Sequence, residues 1–331
     1  MNTFVPSPGF DASRFKGTIL ILPSVSIGNV PQLTTDLLLA TLKLDRVGCI
    51  EDENVIPVVG PADKPHEATS PLSATATTAP GSAASGAGLS LAVEVFQSKD
   101  GKWTLIQQRS PTVRHRSHFY ADNLVQFIKD AEFDQVVLLA SADGARRVDI
   151  QLRSSTPVRY ISSPAVPKTL LETIQGLGLE QLENVATTED ERREALIRRQ
   201  EHFLTHDPSS AAAVSSTSAS ALTDRVEGMQ LDESATVGQQ QLEKVPRIPN
   251  GGIARRLHSL CQEQGIAILT IVKFAMEGDN APDAIFLANV LNAIFKMHAP
   301  TEQQTLQGEG WKAPKSWDSL YGNTFHQDMY Q

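Results

Sequence analysis

Two short apolar runs restrict the possible folds of this chain more than any other feature of its sequence. Residues 18–22 (TILIL) are apolar after Thr18 and stop at Pro23, and residues 135–140 (QVVLLA) form a second such run. A strand with one face in solvent alternates apolar and polar residues, whereas a strand buried on both faces is apolar nearly throughout. Both runs therefore predict strands inside a sheet that other elements cover on its two faces.

Helix-like stretches alternate with these strands. Asn29 and Pro31 suit the start of a helix whose apolar side chains, through Leu44, fall on one side. Further helices are predicted over residues 119–133, 168–177, 189–204, 253–264 and 280–297, and shorter strands over residues 47–50, 55–59 and 157–161. This alternation predicts an α/β fold, a layered sheet with helices on both faces.

Two further stretches carry strand signals of different clarity. Residues 89–97 and 103–109 flank Lys99, Asp100 and Gly101, a turn signature that predicts a hairpin. Residues 266–274 are apolar enough for either a strand or a buried helix, and periodicity does not separate the two.

Two segments of low complexity interrupt the pattern. In residues 61–88, 23 of 28 are Ala, Ser, Thr, Pro or Gly, and residues 205–245 contain no aromatic side chain. Such compositions bury too little apolar surface to offset the entropy lost on ordering. We therefore predict one α/β domain over residues 1–320 with disordered insertions at 61–88 and 205–245, followed by a flexible tail, residues 321–331.

The charge balance disfavours two classes of partner. The chain has 29 Lys and Arg against 38 Asp and Glu, a formal net charge of −9. An acidic chain without a large basic cluster has no general attraction to nucleic-acid phosphates or anionic lipids, so we expect no nucleic acid and no membrane as partners. Cys49 and Cys261 are too few for a disulfide framework or a Cys-based zinc site. A reducing compartment, the cytoplasm, is expected, with the nucleus as a second location.

Residues 24–29 (SVSIGN), here called the 24–29 loop, are the candidate for chemistry, because open α/β sheets bind ligands where strands end at their carboxyl side. Its amides and the helix start suit an anion, but a dinucleotide fingerprint needs three glycines and this loop has only Gly28. Nucleophile elbows, P-loops and zinc-ligand spacings are not found in the sequence. A structural turn is the first interpretation, and a nucleoside-phosphorylase-like small-molecule enzyme is the alternative.

The end of the sequence carries a separate signal. Met329, Tyr330 and Gln331 form a hydrophobic-Tyr-any pattern in a stretch without a predicted helix, so these residues are expected to project. Only 4 of the 331 residues are tyrosines, which makes this position infrequent by chance. By itself the pattern leaves an accidental tyrosine in a disordered tail as the alternative.

Three separated regions of the sequence resemble the proteasome assembly chaperone 2 family. They are residues 22–33 (LPSVSIGNVPQL), residues 151–164 (QLRSSTPVRYISSP), and residues 248–254 (IPNGGIA) leading into 273–284 (KFAMEGDNAPDA) and 311–320 (WKAPKSWDSL). Their order is that of the family, and together they span almost all of the residues expected to fold. The two low-complexity segments depart from the family pattern as insertions.

The resemblance implies a fold related to nucleoside-phosphorylase-like sheets and a function in assembly without catalysis, with no catalytic, cofactor-binding or metal-binding residues. It implies a heterodimer with proteasome assembly chaperone 1 that docks on the proteasome α-ring, made of α-subunits. By the same resemblance, the hydrophobic-Tyr-any tail enters a pocket between α-subunits. Met329 would fill an apolar patch, Tyr330 would pack its ring and donate its hydroxyl, and the carboxylate of Gln331 would pair with a pocket lysine.

Overall fold

A computed structural model of the chain describes residues 4–62, 88–154, 156–184, 245–299 and 310–319. Within these residues the central feature is a nine-stranded mixed sheet in the order β1-β3-β6-β7-β2-β8-β11-β9-β10. The strands are β1 (Phe4–Pro6), β2 (Ile19–Pro23), β3 (Asp45–Ile50), β6 (Val93–Gln97), β7 (Trp103–Gln108), β8 (Gln135–Asp143), β9 (Val158–Ser162), β10 (Glu180–Gln181) and β11 (Ile268–Ala275). A separate ribbon pairs β4 (Val59–Pro61) with β5 (Leu89–Leu91).

The centre of the sheet is the parallel group β2, β8 and β11. β8 pairs with β2 on one side and with β11 on the other. All eight residues of β11 are buried, as are eight of the nine residues of β8. This confirms the buried strands expected at residues 18–22 and 135–140. Residues 266–274, which the sequence left open, form a strand rather than a helix.

β7 pairs in parallel with β2 and extends this centre on one side, and antiparallel pairings follow on both sides. β6 and β7 form the expected hairpin, with a turn in which the Gly101 amide donates to the Ser98 carbonyl at 2.9 Å. β11 and β9 are antiparallel, with Lys273 opposite Val158. The strand expected over residues 55–59 is wrong in its position. Val55 makes only an isolated bridge to Thr112, and the strand begins at Val59.

Six α-helices are described: α1 (Val30–Leu42), α2 (Ser117–Asp130), α3 (Asp149–Arg153), α4 (Lys168–Gly176), α5 (Ala254–Glu263) and α6 (Ala281–Phe295). α1, α4 and α6 contribute to one apolar core with alternate residues of the sheet such as Ile21, Val137 and Ile271. Successive strand residues point to opposite faces, so the intervening residues of β8 and β11 meet α5, against which α2 packs. The helices therefore cover both faces, as the sequence predicted.

Some helix ends are explained by the residues that stand there, and others are not. Pro31 occupies the first turn of α1, where its missing amide costs no hydrogen bond. Asn29 has φ +51° and makes no side-chain capping bond, so its expected role as a side-chain cap is wrong. Gly265 follows α5 with φ +71°, a conformation that ends helices and that glycine adopts without strain, and α5 ends next to residue 264, where the sequence predicted its end.

A buried histidine joins α5 to the sheet. His258 is fully buried, and its Nδ1 lies 2.7 Å from the Thr270 hydroxyl on β11. Loss of hydration by burial lowers the pKa of His258 to about 4, so its ring is neutral at pH 7. Burial on the same helix raises the pKa of the Cys261 thiol to about 12. These groups are neutral, structural members of the core.

The described residues through Leu182 and from Ile248 onward form one compact unit, and residues 183–247 belong to a second unit. Of the two predicted insertions, residues 63–87 and 205–244 lie outside the described residues, as does the helix expected over 189–204. The predicted domain boundaries and the disorder of the insertions stay predictions. No helix among the described residues is long and apolar enough to cross a membrane.

Candidate functional site at the carboxyl edge of the sheet

The three central parallel strands end at one edge of the sheet, here called the carboxyl edge. β8 and β11 end opposite each other at Asp143 and Ala275, and β2 ends at Pro23, opposite Leu139 of β8. The 24–29 loop follows β2, and residues 276–280 follow β11 before α6 begins. A third piece of chain, residues 249–252, reaches the same edge. This is the location at which open α/β sheets most often place a ligand.

Three serine hydroxyls join the segments at this edge. Ser24 Oγ donates to the Gly251 carbonyl at 2.8 Å, across 227 residues of sequence. The hydroxyls of Ser26 and Ser141 lie 2.8 Å apart, and the Ser141 amide donates to Ser26 Oγ at 3.0 Å. Ser141 Oγ also lies 2.5 Å from the carbonyl of Ile27. All three serines are buried, so these hydroxyls serve the contact between segments.

Close backbone approach makes two glycines necessary here. A Cβ on Gly252 would lie 2.0 Å from the Val25 carbonyl oxygen, and one on Gly28 would lie 2.5 Å from Nδ2 of Asn280. Both glycines also have positive φ, +62° and +68°. A side chain at either position would strain the backbone, and at Gly252 it would also push the backbone of the 24–29 loop away, whereas at Gly28 it would displace the Asn280 side chain.

The 24–29 loop offers little to an anion. The Ile27 amide donates to the Asn250 carbonyl at 3.1 Å, and the Asn29 amide donates to the Ser26 carbonyl at 3.1 Å. The loop borders an open groove of about 650 Å³ whose charged lining side chain is Glu277, a carboxylate that repels phosphate. These contacts favour the structural-turn interpretation of the loop over phosphate binding.

Beside this groove lies a second, smaller cavity of about 380 Å³ at the end of β11. Lys273 lines it and is 4% exposed. Its Nζ donates to Oδ1 of Asp283 at 2.7 Å and to the Phe274 carbonyl at 2.8 Å. The guanidinium of Arg147 stacks 5.0 Å from the centre of the Phe274 ring. The cations of this cavity are thus engaged with protein groups, and its lining also includes the apolar side chain of Met276 and the carboxylates of Glu277 and Asp279.

The described residues contain no cluster of side chains suited to bind a metal ion. No group of three or more His, Cys, Asp or Glu side chains lies close enough there to hold a metal ion.

The site residues predicted from the sequence, Met329, Tyr330 and Gln331, lie outside the described residues. Sequence reasoning missed the exposed apolar side chains at the carboxyl edge. The sequence does contain features that indicate them. Met276 lies between a strand and a helix in a charged stretch, and Ile285 and Phe286 make the apolar side of α6 wider than one buried face requires.

Comparison with known proteins decides the family. The family model described as the PAC2 family matches residues 20–309, which include every described strand from β3 onward and all six described helices. The chain belongs to the PAC2 family. This confirms the family indicated by the three motif regions.

The PAC2-family relatives are similar over nearly their whole length. Proteasome assembly chaperone 2 of Bos taurus is 29% identical over 321 residues, 97% of each chain. Proteasome assembly chaperone 2 of Homo sapiens is 28% identical over the same shares of both chains. Among solved structures, a protein of unknown function from Thermoplasma acidophilum superposes with a TM-score of 0.50 at 9% identity, covering 98% of this chain and 93% of the other. That likeness concerns the fold.

Proposed function

We propose that this chain is a chaperone for assembly of the proteasome core particle, acting in the cytoplasm and nucleus. The observation that carries the proposal is the similarity to relatives named proteasome assembly chaperone 2 over 97% of both chains. Similarity of that extent includes the edges and loops as well as the core. It therefore supports a shared role for the whole chain and not for one fragment of it.

In this proposal the chain forms a heterodimer with proteasome assembly chaperone 1, and the heterodimer docks on the α-ring. Met329, Tyr330 and Gln331 enter a pocket between neighbouring α-subunits. Burying a tyrosine removes about 150–250 Å² from water, worth roughly 4–6 kcal/mol at ~25 cal/mol per Å². Association itself costs roughly 4–15 kcal/mol, so one tail on its own gives little net affinity. The folded body and the partner must supply the rest, by holding the tail at a high effective concentration.

The proposed role is one of binding without a chemical step. The engagement of Ser24, Ser26 and Ser141 with neighbouring segments supports this, since those hydroxyls lie where a doubly wound sheet normally presents its ligand-binding groups. The carboxylate of Glu277 in the same groove weakens the alternative of a nucleoside-phosphorylase-like enzyme, which would bind phosphate there.

Affinity purification of the full-length chain from its host tests the proposal. We expect assembly chaperone 1 and α-subunits to co-purify, and a chain lacking residues 329–331 to retain chaperone 1 while losing most of the α-subunits. Thermal stability should be the same for both chains, because the deletion removes no residue of the described fold. Recovery without any proteasome subunit or sister chaperone would refute the assembly role. Equal recovery of α-subunits by the truncated chain would refute only the role of the tail.

A further inference from the structure

Five large apolar side chains are exposed near the end of β11. They are 38% to 64% exposed. We call them the carboxyl-edge face: Ile150, Leu152, Met276, Ile285 and Phe286. Clustered exposed apolar side chains of this size are typical of protein interaction surfaces.

Two members of this face are next to the cavity of about 380 Å³. Met276 lines the cavity directly, and the Phe286 ring lies 5.8 Å from Nζ of Lys273, which also lines it. Ile285 precedes Phe286 on α6. Ile150 and Leu152 belong to α3, which is held near the cavity because the lining residue Arg147 donates a hydrogen bond to the Gln151 carbonyl. The five side chains therefore come from segments that meet at this cavity.

The cations inside this depression do not oppose burial by a partner. Lys273 already pairs with Asp283 and with a carbonyl, and Arg147 is stacked on an aromatic ring and bonded to α3. Covering ions that are already paired costs less hydration than covering free ones. The carboxylates of Glu277 and Asp279 also line the depression, so the partner that fits it combines an apolar contact with basic groups.

The course of the last described segment identifies the partner. The Lys312 amide donates to Thr41 Oγ1 near the end of α1, and Trp311 Nε1 donates to Asn289 Oδ1 in the middle of α6. Trp317, like Trp311, packs on a cluster closer to the starts of these helices, formed by Leu33, Leu37, Ala284 and Ala288. α1 and α6 start at the carboxyl edge, because they follow β2 and β11. The chain is thus running toward this edge at Ser319.

Ala284, in the Trp317 cluster, immediately precedes Ile285 and Phe286 of the carboxyl-edge face. Residues 320–331 begin from this position, and twelve residues reach at most about 40 Å. A partner bound by Met329, Tyr330 and Gln331 is consequently held within reach of the face.

We propose that the carboxyl-edge face is the surface of the folded body that contacts the proteasome α-ring, next to the pocket that takes the tail. This inference rests on the proposed function and adds to it the orientation of the body. Tail and face then bind one partner together, so each raises the local concentration of the other, and loss of either weakens both.

The test measures binding of the purified heterodimer with assembly chaperone 1 to isolated α-rings by biolayer interferometry. The face variant is Met276→Ser with Phe286→Ser. The matched control is Val59→Ser with Leu89→Ser, two side chains that are 66% and 59% exposed on the β4–β5 ribbon. We expect the dissociation constant to rise at least tenfold for the face variant and less than twofold for the control. Met276→Glu alone, at a side chain 64% exposed, provides a second variant if the double substitution lowers the thermal midpoint.

Each outcome has a separate meaning. A face variant that binds α-rings like the unaltered chain, while deletion of residues 329–331 weakens binding, overturns the inference and leaves the proposed function standing. A face variant that binds α-rings normally but no longer pairs with assembly chaperone 1 also overturns it, because the face is then the dimer surface. Absence of α-ring binding by the unaltered heterodimer contradicts the proposed function itself.

Discussion

His258 should make the stability of this protein depend on pH between about 4 and 6.5. The ring is buried and neutral in the folded chain, where its pKa is lowered to about 4, and it regains the ordinary value of about 6.5 when the chain unfolds. Below pH 6.5 the unfolded state therefore binds a proton that the folded state excludes. Stability from this residue is complete above pH 6.5 and falls as the pH falls toward 4.

The size of the effect follows from the two pKa values. A difference of about 2.5 pKa units corresponds to roughly 3 kcal/mol, and by pH 5 about 2 kcal/mol of it is lost. We propose His258→Asn as the test. The Asn amide can replace Nδ1 in the 2.7 Å contact with Thr270 Oγ1 but does not titrate. The substitution will cost some packing at every pH, so the quantity to compare is the change between pH 7 and pH 5.

The assay is equilibrium unfolding in urea, followed by tryptophan fluorescence, at pH 7 and pH 5. We expect the unaltered chain to lose about 2 kcal/mol more between these two pH values than the His258→Asn variant does. His118→Asn, at an exposed histidine, is the control and should show the pH dependence of the unaltered chain. If His258→Asn and the unaltered chain lose the same free energy, His258 is not the group responsible.

Two pairs of substitutions test contacts at the carboxyl edge. Gly252→Ala should lower the free energy of unfolding by more than ~2 kcal/mol, because its Cβ would lie 2.0 Å from the Val25 carbonyl oxygen. The control Gly178→Ala, at φ +74° with no neighbouring atom within 4 Å of the new Cβ, should cost only the ~1–2 kcal/mol of backbone strain. Equal losses of stability in thermal unfolding would count against the close approach at Gly252. Asp283→Asn should lower the free energy of unfolding more than Lys273→Met does. The first substitution leaves the buried ammonium without its carboxylate, whereas the second removes the buried charge itself. The reverse order of stabilities in urea titrations would contradict this reasoning.

The core of the fold could be predicted from the sequence because its signals are local. β2 and β8 are runs of apolar residues, and their burial on both faces by helices is what such runs indicate. Residues 266–274 stayed ambiguous because a fully buried strand and a buried helix have the same composition. β1 was missed, since three residues with one buried side chain have no detectable period.

The carboxyl edge could be located from the sequence but its contacts could not. The end of a predicted strand correctly placed the 24–29 loop there. The bond from Ser24 to Gly251 joins residues 227 positions apart, and no local pattern encodes it. A serine that binds a ligand and a serine that holds two loops together look identical in a sequence. Ile285 and Phe286 indicate in the sequence that α6 has more apolar surface than one buried side needs. Which of its apolar residues are exposed could not be predicted without knowing which side of α6 packs on the sheet and on α1.

The position of β11 has a consequence for synthesis of the chain. It is the last strand in sequence among the described residues, yet it lies inside the sheet, between β8 and β9. A nascent chain that has left the ribosome only as far as residue 267 has unpaired backbone groups along β8 and β9 and cannot join them. Such an intermediate exposes unpaired strand edges, on which other polypeptides can pair, until β11 is synthesised and inserts between β8 and β9. A protein proposed to help others assemble is thus itself in need of protection while it is being made.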